Sequence, residues 1–412
     1  MGWLSKTLQR GAGTSVPGYA IERYFPSAVK YLAAPYSEII LVSGTNGKTT
    51  TRALINEVYR AKNIAFTSNL GGANIYRGIA TAFLNNFTRT GKPKNRVAIL
   101  EVEEATLPKL TKYLEPTKLV LTNIFRDQLD AYGEIDQTLS YFQTTLAQTN
   151  PTLILNQDDP KLVNYLQEFV PQAIGFGLEK NHRPLYEENG APLVSPASRF
   201  NVTEIKTGPR PEAVLTTPDQ HSQTFISPLP GAFNLYNFAA AVATTYAKFG
   251  PEVISILEQS KRVFGRGETI KAGETTYHLY LVKNPAGFAE VLKYLQSLEF
   301  KALNLNLLMN DNVADGRDVS WLWDVPFEDF FAKQKIKNLR TAGNRGLDLL
   351  LRVKYAGAEV ELDDNLTIPE LISTTKDGAT QEYLLCTYTA LLEVRRELGK
   401  HTTVSPLAEA GN

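Results

Sequence analysis

The sequence predicts an α/β protein that contains two sheets of mainly parallel strands. Over most of the 412 residues, apolar runs of strand length alternate with helical patterns, and this alternation is typical of a parallel sheet covered by helices. One strand runs directly into a glycine-containing turn and a helix at residues 38–51, and a second strand–helix series begins after residue 265. We therefore expect a central domain at 38–265, a short N-terminal segment at 1–37 and a Rossmann-like C-terminal domain at 266–412.

The stretch EIILVSGTNGKTTT at residues 38–51 has the features of a phosphate-binding loop, or P-loop. An apolar strand leads into it, its glycines permit a tight backbone, and the following helix presents its positive end. Lys48 can reach the outer phosphates of a nucleotide, and the Thr49 hydroxyl can bind Mg²⁺. The loop is shorter than the usual G-x-x-x-x-G-K-[ST] pattern, because Val42 stands where the first glycine is expected. The predicted nucleotide-binding residues are Gly44, Thr45, Asn46, Gly47, Lys48, Thr49 and Thr50.

An ordinary strand-to-helix turn with a chance Gly-Lys-Thr is the alternative interpretation of this stretch. We disfavour it because strand, turn, lysine, hydroxyl and helix occur together in the required order. The helix also has support of its own. Leu54, Ile55 and Val58 form an apolar stripe within residues 51–62, and such a stripe can pack against a sheet.

The other elements of the central domain follow in chain order. Strands are predicted at 39–42, 97–102, 118–122, 152–156 and 173–177. The stretch 178–228 is polar and rich in Pro, Glu and Thr, and its weak strand patterns at 199–205 and 213–216 indicate an insertion with antiparallel pieces. An alanine-rich helix then runs to about Lys248, before Gly250 stops it.

The C-terminal series predicts a second sheet of the same kind. Its strands are predicted at 279–282, 302–309, 338–342, 359–362 and 383–386, and its helices include 286–298, 346–355 and 390–398. At the other end of the chain, residues 1–37 contain little pattern beyond a possible helix at 28–33. We expect that segment to be too short for a domain.

The composition excludes several classes of function. Lys plus Arg and Asp plus Glu both number 43, without a basic run, so no nucleic-acid partner is expected. The single cysteine, Cys386, cannot form an intramolecular disulfide, and its apolar neighbours predict a core residue. No apolar stretch has the length of a membrane-spanning helix, and the first residues lack a signal-peptide pattern. We therefore expect a protein of the cytoplasm.

Six motifs, taken in order, resemble those of the Mur ligase family of ATP-dependent peptide-bond ligases. They are the P-loop, EVEE at 101–104, LTNIFRDQLDAYG at 121–133, LNQDDP at 155–160, GAFNLYN at 231–237 and GRGE at 265–268. The resemblance implies a Mur ligase-like central domain that binds ATP and Mg²⁺. It further implies that Glu101 binds the metal together with Thr49, with the next two glutamates as weaker candidates. Asn234 and Arg266 are the residues that it places on ATP outside the P-loop.

Within that family, the chain is most similar to ligase subunits that amidate lipid II with ammonia from a GatD-type glutaminase. The motifs that carry this resemblance are NLGGAN at 69–74, FRDQLD at 125–130, KNPAG at 283–287, NDNVADGRDVSW at 310–321 and YTALL at 388–392. It implies a heterodimer with a GatD-type partner and a lipid II substrate at the inner face of the plasma membrane. Asp318 would orient the histidine of the partner's Cys-His pair, or else belong to a polar turn. Lys283 would steady an acyl phosphate, or else cap a helix or form an ion pair.

The sequence departs from that group in one respect and shares other features with it. Relatives carry a four-cysteine zinc ribbon, whereas residues 178–215 contain no cysteine, and His182 alone cannot hold zinc. Gln128 stands where many Mur ligases have a histidine near the metal, and it cannot titrate. The N-terminus is too short for a uridine-nucleotide domain, which fits a lipid-linked substrate. A stand-alone ligase like folylpolyglutamate synthase and a catalytically silent nucleotide-binding scaffold are the alternatives.

Overall fold

The structure, a computed structural model, describes residues 16–69, 73–125, 135–183, 191–208, 210–260, 266–298, 300–358, 366–374 and 380–404. Its strands are β1 Glu38–Ser43, β2 Val97–Glu101, β3 Lys118–Leu121, β4 Thr152–Asn156, β5 Ile174–Leu178, β6 Ser198–Lys206, β7 Glu212–Thr216, β8 Ser222–Ile226, β9 Arg266–Ala272, β10 Thr275–Leu281, β11 Leu303–Leu308, β12 Ile336–Ala342 and β13 Gln381–Cys386. Within these residues they form a larger sheet, in the order β2-β1-β3-β4-β5-β6-β7-β8, and a smaller sheet, in the order β12-β11-β13-β10-β9.

The α-helices lie before, between and after these strands in the chain. They are α1 Val16–Tyr24, α2 Ala28–Ala33, α3 Lys48–Ala61, α4 Tyr76–Asn85, α5 Leu107–Thr111, α6 Ile135–Gln148, α7 Pro160–Tyr165, α8 Ala232–Phe249, α9 Glu252–Glu258, α10 Pro285–Ser297, α11 Phe327–Lys333, α12 Gly346–Tyr355, α13 Ile368–Thr374 and α14 Tyr388–Leu398. Among the described residues, none of these helices combines the length and apolar character that crossing a bilayer requires.

Apolar clusters cover both faces of the larger sheet. In β1, Ile40 and Val42 belong to the same cluster as Leu54 of α3, whereas Ile39 and Leu41 belong to the cluster on the opposite face. This division follows from the strand geometry, since successive side chains of a strand point to opposite faces. A strand that is buried on both faces has a continuous apolar sequence, which explains the run at 39–42.

The strand predictions for the larger sheet are confirmed. Strands β1 to β6 pair in parallel, and β6, β7 and β8 pair antiparallel. The antiparallel pieces predicted within 178–228 are therefore present, and they extend the sheet. The sequence pattern misses α1 and also β8, in which only Phe225 is buried and the apolar signal is weak. The helix after the P-loop begins at Lys48 instead of residue 51, because its first turn follows Gly47 directly.

The smaller sheet confirms the second α/β series. Its strands β12, β11, β13 and β10 pair in parallel, and β9 adds an antiparallel edge that the sequence pattern misses. Strand β10 also begins at Thr275 instead of residue 279. Cys386 is fully buried at the end of β13, as predicted. The strand predicted at 359–362 lies outside the described residues.

The two sheets meet through a reciprocal pair of amides. Asn46 Nδ2 donates to Asn284 Oδ1 at 3.3 Å, and Asn284 Nδ2 donates back to Asn46 Oδ1 at 3.0 Å. Helices α8 and α10 are also in contact. The carboxyl end of β1 therefore faces the smaller sheet, and this end of a parallel sheet is where ligands bind in open α/β folds.

Candidate active site

The loop after β1 turns tightly around two glycines. Gly44 has φ 119° and Gly47 has φ 88°, and both values lie in the region that favours glycine. A Cβ atom on Gly44 would lie 2.3 Å from Thr122 Oγ1, and one on Gly47 would lie 2.2 Å from Asn237 Oδ1. Both positions therefore require glycine, and the loop backbone packs closely against the end of β3 and the start of α8.

Polar residues after β3 hold this loop from behind. Thr122 Oγ1 and Asn123 Nδ2 both donate to the carbonyl oxygen of Asn46, at 2.6 and 2.9 Å. In return, the Asn46 N–H donates to Asn123 Oδ1 at 2.8 Å, and the Phe125 N–H donates to Thr45 Oγ1 at 3.0 Å. Hydrogen bonds to the residues that follow β3 therefore fix the conformation of the P-loop. Neither Thr122 nor Asn123 is among the predicted site residues, although both are polar residues directly after a buried strand.

Lys48 lies inside the loop among oxygen atoms. Its Nζ donates to the carbonyl oxygens of Gly44 and Thr45, the latter at 3.2 Å, and to Glu104 Oε1 at 2.9 Å. Both charged side chains are buried, and attraction between opposite charges is stronger there than in water. Glu104, one of the weaker metal candidates, is therefore the ion-pair partner of Lys48 in this structure.

Thr49 lies beside the carboxylate of Glu101, the residue that the family resemblance pairs with it. Its Oγ1 donates to Glu101 Oε2 at 2.8 Å, and Asn74 Nδ2 donates to the other carboxylate oxygen at 3.2 Å. Asn69 bonds to the backbone N–H and carbonyl of Glu101. One hydroxyl and one carboxylate fit Mg²⁺, which at nucleotide sites takes few protein ligands beside phosphate oxygens and water. The Thr50 side chain is fully buried, so this residue can contact a phosphate only through its backbone.

A cleft leads away from the loop between α8 and α10. Its part next to the loop is lined by residues that include Asn46, Gly47, Phe125, Phe233, Tyr236, Gly287 and Glu290. It continues past Phe233 and Tyr236 into a wider part that Arg183 and Tyr294 border. Aromatic rings with a few polar groups between them suit a flat heterocycle.

Asn234 lies in the first turn of α8 and is buried. Its Nδ2 donates to the carbonyl of Pro230 at 2.6 Å, and its Oδ1 accepts from Asn237 Nδ2 at 3.0 Å. Asn237 in turn accepts from Thr51 Oγ1 of α3 at 3.2 Å. Asn234 therefore supports the start of α8 and, through Asn237, the helix that follows the P-loop. Its contact with ATP stays a prediction.

Asp158, which is not among the predicted site residues, anchors one wall of the cleft. Its Oδ2 accepts hydrogen bonds from the Tyr236 hydroxyl at 3.0 Å and the Leu178 N–H at 2.7 Å, while Arg183 Nη1 lies 3.0 Å from Oδ1. Burial raises the pKa of Asp158 to about 6, although Arg183 and the hydrogen bonds oppose the shift. The available signal was an acidic residue two positions after the end of strand β4.

Lys283 lies at the junction of the two sheets. It follows β10 and directly precedes Asn284, which caps α10 and bonds to Asn46 of the P-loop. Lys283 is therefore one residue away from the contact between the two sheets. Arg266 is the first residue of β9, where its backbone pairs with that of Tyr280. Its side chain lies outside the described part of the chain.

Asp318 lies in a different part of the molecule, in the loop after β11. Strand β13 separates β11 from β10, and Asp318 is not among the residues that line the cleft. Its Oδ1 accepts from the Ser320 N–H at 2.8 Å. Asp315 of the same loop is buried and accepts bonds from the N–H and hydroxyl of Thr389 at the start of α14. Asp315 therefore fixes the loop, and Asp318 is half-exposed on it.

We expect the purified protein to hold no structural zinc, because a tetrahedral site needs four ligands. Residues 178–215 contain no cysteine, and the described residues contain no group of three His, Cys, Asp or Glu side chains placed to hold a metal. His182 Nδ1 lies 3.1 Å from Glu179 Oε1 instead. Elemental analysis of the tag-free chain should give zinc far below one equivalent, and a stoichiometric content would contradict the prediction. Gln128, which stands where many Mur ligases have a histidine near the metal, lies outside the described residues.

Two family models match the sequence. The Mur ligase middle domain matches residues 42–245, and the MurT ligase C-terminal model matches residues 281–391. Among curated proteins, the lipid II isoglutaminyl synthase (glutamine-hydrolyzing) subunit MurT of Streptococcus pneumoniae is 30% identical, over 96% of this chain and 94% of that protein. The subunit of the same name from Staphylococcus aureus is 30% identical, over 94% of this chain and 93% of that protein.

Solved structures agree on the fold. The UDP-N-acetylmuramoylalanyl-D-glutamyl-2,6-diaminopimelate--D-alanyl-D-alanyl ligase of Acinetobacter baumannii superposes with a TM-score of 0.67 at 17% identity, covering 91% of this chain and 78% of that one. The MurF ligase of Thermotoga maritima in complex with ADP gives a TM-score of 0.62 at 13% identity, covering 92% and 84%. At these identities the similarity shows a shared fold, with both sheets included.

Proposed function

The chain belongs to the MurT group of the Mur ligase family, and from this we propose that it is the ATP-dependent ligase subunit of a lipid II isoglutaminyl synthase. The relatives with that printed name match over nearly the whole chain, including the smaller sheet as well as the P-loop. The proposed reaction converts the α-carboxylate of D-isoglutamate in the stem peptide into an amide. Because the substrate is linked to a lipid, we propose that the reaction takes place at the inner face of the plasma membrane.

The observation that carries a ligase activity is the contact of Thr49 Oγ1 with Glu101 at 2.8 Å, beside Lys48 on the P-loop. Lys48, the P-loop backbone and the first turn of α3 are proposed to bind the phosphates of ATP. Thr49 and Glu101 are proposed to hold Mg²⁺, which when bound offsets the charge of the phosphates and of the group in transfer. A solved relative of the same fold carries ADP, in agreement with a nucleotide here.

The need for ATP follows from the chemistry, since a carboxylate is a poor electrophile. In the proposed sequence a carboxylate oxygen of the substrate attacks the γ-phosphorus, ADP departs and an acyl phosphate forms. The nitrogen of ammonia then attacks the acyl carbon, phosphate departs, and a proton is released to leave the amide. Lys48 would offset negative charge during the first step. Lys283, next to the Asn284–Asn46 contact, is proposed to steady the acyl phosphate.

Ammonia is proposed to come from a GatD-type glutaminase that forms a heterodimer with this chain. The relatives are named subunits of a glutamine-hydrolyzing enzyme, which implies a partner. In this chain the single cysteine, Cys386, is buried, and burial raises the pKa of its thiol, so it is a poor nucleophile. We propose that Asp318, half-exposed on the loop that Asp315 fixes, orients the histidine of the partner's Cys-His pair.

Co-purification with a glutaminase, followed by mass spectrometry of lipid II, tests this function. With glutamine, ATP and Mg²⁺, the product should be lighter by about 1 Da, because an amino group replaces a hydroxyl and removes a titratable carboxylate. Unchanged lipid II in the presence of active glutaminase would contradict the proposal. ATP-dependent addition of an amino acid would favour a stand-alone ligase, and the absence of any ATP turnover would favour a silent scaffold.

The cleft between α8 and α10 is proposed to hold the base of ATP, and Phe233 tests this placement. Phe233→Ala should raise the KM for ATP several-fold, because stacking between a base and an aromatic ring contributes about 1–3 kcal/mol where it has been measured in nucleic-acid complexes. Phe66→Ala is a matched control, since Phe66 is half-buried in the same sheet's core and lies outside the cleft. Equal KM values in both variants would place the base elsewhere.

We propose the same division of the chain into domains that the sequence predicts. Strands β1 to β8 end at Ile226 and β9 begins at Arg266, which supports a central ATP-binding domain at 38–265 and a C-terminal domain at 266–412. The stretch 178–228 is proposed to be the cysteine-free counterpart of the zinc ribbon. Asn234 and Arg266 remain proposed ATP contacts near the junction of the two domains.

A further inference from the structure

Four large aromatic side chains are exposed on the two short helices that precede β1 and on the loop between these helices. Tyr19, Tyr24, Phe25 and Tyr31 are 52%, 68%, 67% and 75% exposed, respectively. Aromatic rings contribute most to stability and binding when they are buried. A concentration of exposed apolar groups therefore marks a surface that binds a protein, a ligand or a membrane. We call these four residues the aromatic face.

The helices that carry the aromatic face are firmly attached on their other side. Gly18 of α1 lies against α4, where its N–H donates to Thr81 Oγ1 at 3.0 Å and a Cβ atom would overlap the Arg77 carbonyl. Val29 and Ala33 of α2 are buried in the core cluster under the larger sheet. The aromatic residues therefore point outwards from a fixed support.

Basic side chains accompany the aromatic face. Arg23 follows Tyr19 by one helical turn, Lys30 is adjacent to Tyr31, and both basic residues are exposed. On α4, the Arg77 guanidinium lies 6.0 Å from the centre of the Tyr19 ring. Glu22 is the acidic residue of α1, and its carboxylate lies 3.5 Å from Arg77. The surface therefore carries an excess of positive charge among its aromatic rings.

We propose that the aromatic face docks onto a bilayer that contains anionic phospholipids. Tyrosine rings sit well at the boundary between headgroups and acyl chains, because one edge is apolar and the other is polar. Arg23 and Lys30 complement the negative charge of the headgroups, and lysines and arginines near such a surface strengthen attachment. The occupant is inferred partly from the proposed function, in which the substrate is attached to a lipid.

The loop that carries part of the aromatic face is connected to the proposed metal site by a short series of contacts. Asn74 bonds to the Glu101 carboxylate, and Tyr76, two residues later on α4, donates from its hydroxyl to the Pro26 carbonyl at 2.6 Å. Pro26 directly follows Phe25. A short chain of contacts therefore joins the proposed metal-binding carboxylate to the loop between α1 and α2. A docked protein would present this end of the larger sheet towards a headgroup-linked substrate.

Vesicle co-sedimentation of the purified full-length chain tests this inference without its partner or its substrate. The unmodified protein should sediment with vesicles of phosphatidylglycerol and phosphatidylcholine, less with phosphatidylcholine alone, and less again at high salt. The triple variant Tyr24→Ser, Phe25→Ser, Tyr31→Ser should bind at least about tenfold more weakly, because it loses three interfacial rings. The matched control is Tyr355→Ser, since Tyr355 of α12 is 72% exposed and lies on the other sheet's helices.

A second variant removes charge without touching an aromatic ring. Arg23→Glu with Lys30→Glu reverses two exposed charges and should weaken binding to the anionic vesicles by about tenfold or more. The thermal midpoint of each variant, with and without ATP, reports its folding. Failure of the unmodified protein to sediment with the anionic vesicles would overturn the inference. Full binding by both variants would also overturn it, because attachment would then belong to another part of the chain. Vesicle binding without any amidation activity would instead contradict the proposed function and leave the docking surface standing.

Discussion

Lys48→Ala is expected to reduce amide formation on the order of 10²-fold or more at saturating ATP, since this is the usual effect of removing a preorganised charge from a transition state. The assay measures amidated lipid II with the glutaminase present. We expect the loss to exceed tenfold because the Lys48 ammonium lies within hydrogen-bonding distance of the carbonyl oxygens of Gly44 and Thr45, inside the loop that is proposed to bind the phosphates. Near-normal turnover would remove Lys48 from the proposed phosphate site.

The ion pair with Glu104 complicates the interpretation of that variant. Truncation of Lys48 leaves a buried carboxylate without its partner, and breaking a buried pair commonly costs about 3–5 kcal/mol. The thermal midpoint of Lys48→Ala should therefore fall. Adding Glu104→Gln removes the stranded charge, so the double variant should regain much of the midpoint while its activity stays low. Recovery of activity in the double variant would show that Lys48 acts mainly by neutralising Glu104.

Asp318→Asn is expected to separate the two nitrogen sources. If Asp318 orients the partner's histidine, an amide in its place cannot favour the required tautomer or stabilise the imidazolium, and a loss of about 10⁴-fold accompanies the corresponding change in a serine protease triad. Glutamine-dependent amidation should therefore fall sharply. Ammonium supplied directly should restore much of the product, because formation of the acyl phosphate does not use the glutaminase.

A matched control for this experiment lies in the same loop. Asp311 pairs with Arg345 at 2.9 Å, so Asp311→Asn makes the same chemical change at a neighbouring carboxylate that is not proposed to contact the partner. It should retain both activities. Both nitrogen sources and ATP turnover are measured on one preparation of each variant. Equal loss of both activities in Asp318→Asn would assign Asp318 to the ligase chemistry or to folding, and no loss in either would make the loop a polar turn.

The sequence by itself determined the α/β class, the P-loop and most of the parallel strands. These features depend on local patterns, because the strand, the glycines, Lys48 and Thr49 follow one another within residues 38–51, and strands buried on both faces are apolar throughout. The dependence on local patterns also explains why some strands were not predicted. Strands β8 and β9 lie at sheet edges, where polar residues are tolerated and the apolar signal fades.

Only the tertiary structure decided which polar residues meet. Lys48 pairs with a residue 56 positions away, Thr49 with one 52 positions away, and Asn46 with one 238 positions away. The sequence placed Glu101 beside Thr49 through a family resemblance, but it gave no sign of the Lys48–Glu104 pair or of the Asn46–Asn284 contact. The packing of strands and sheets brings these residues together, and no local sequence pattern contains that information. The same packing joins the exposed aromatic residues before β1 to the edge of the sheet that carries Glu101.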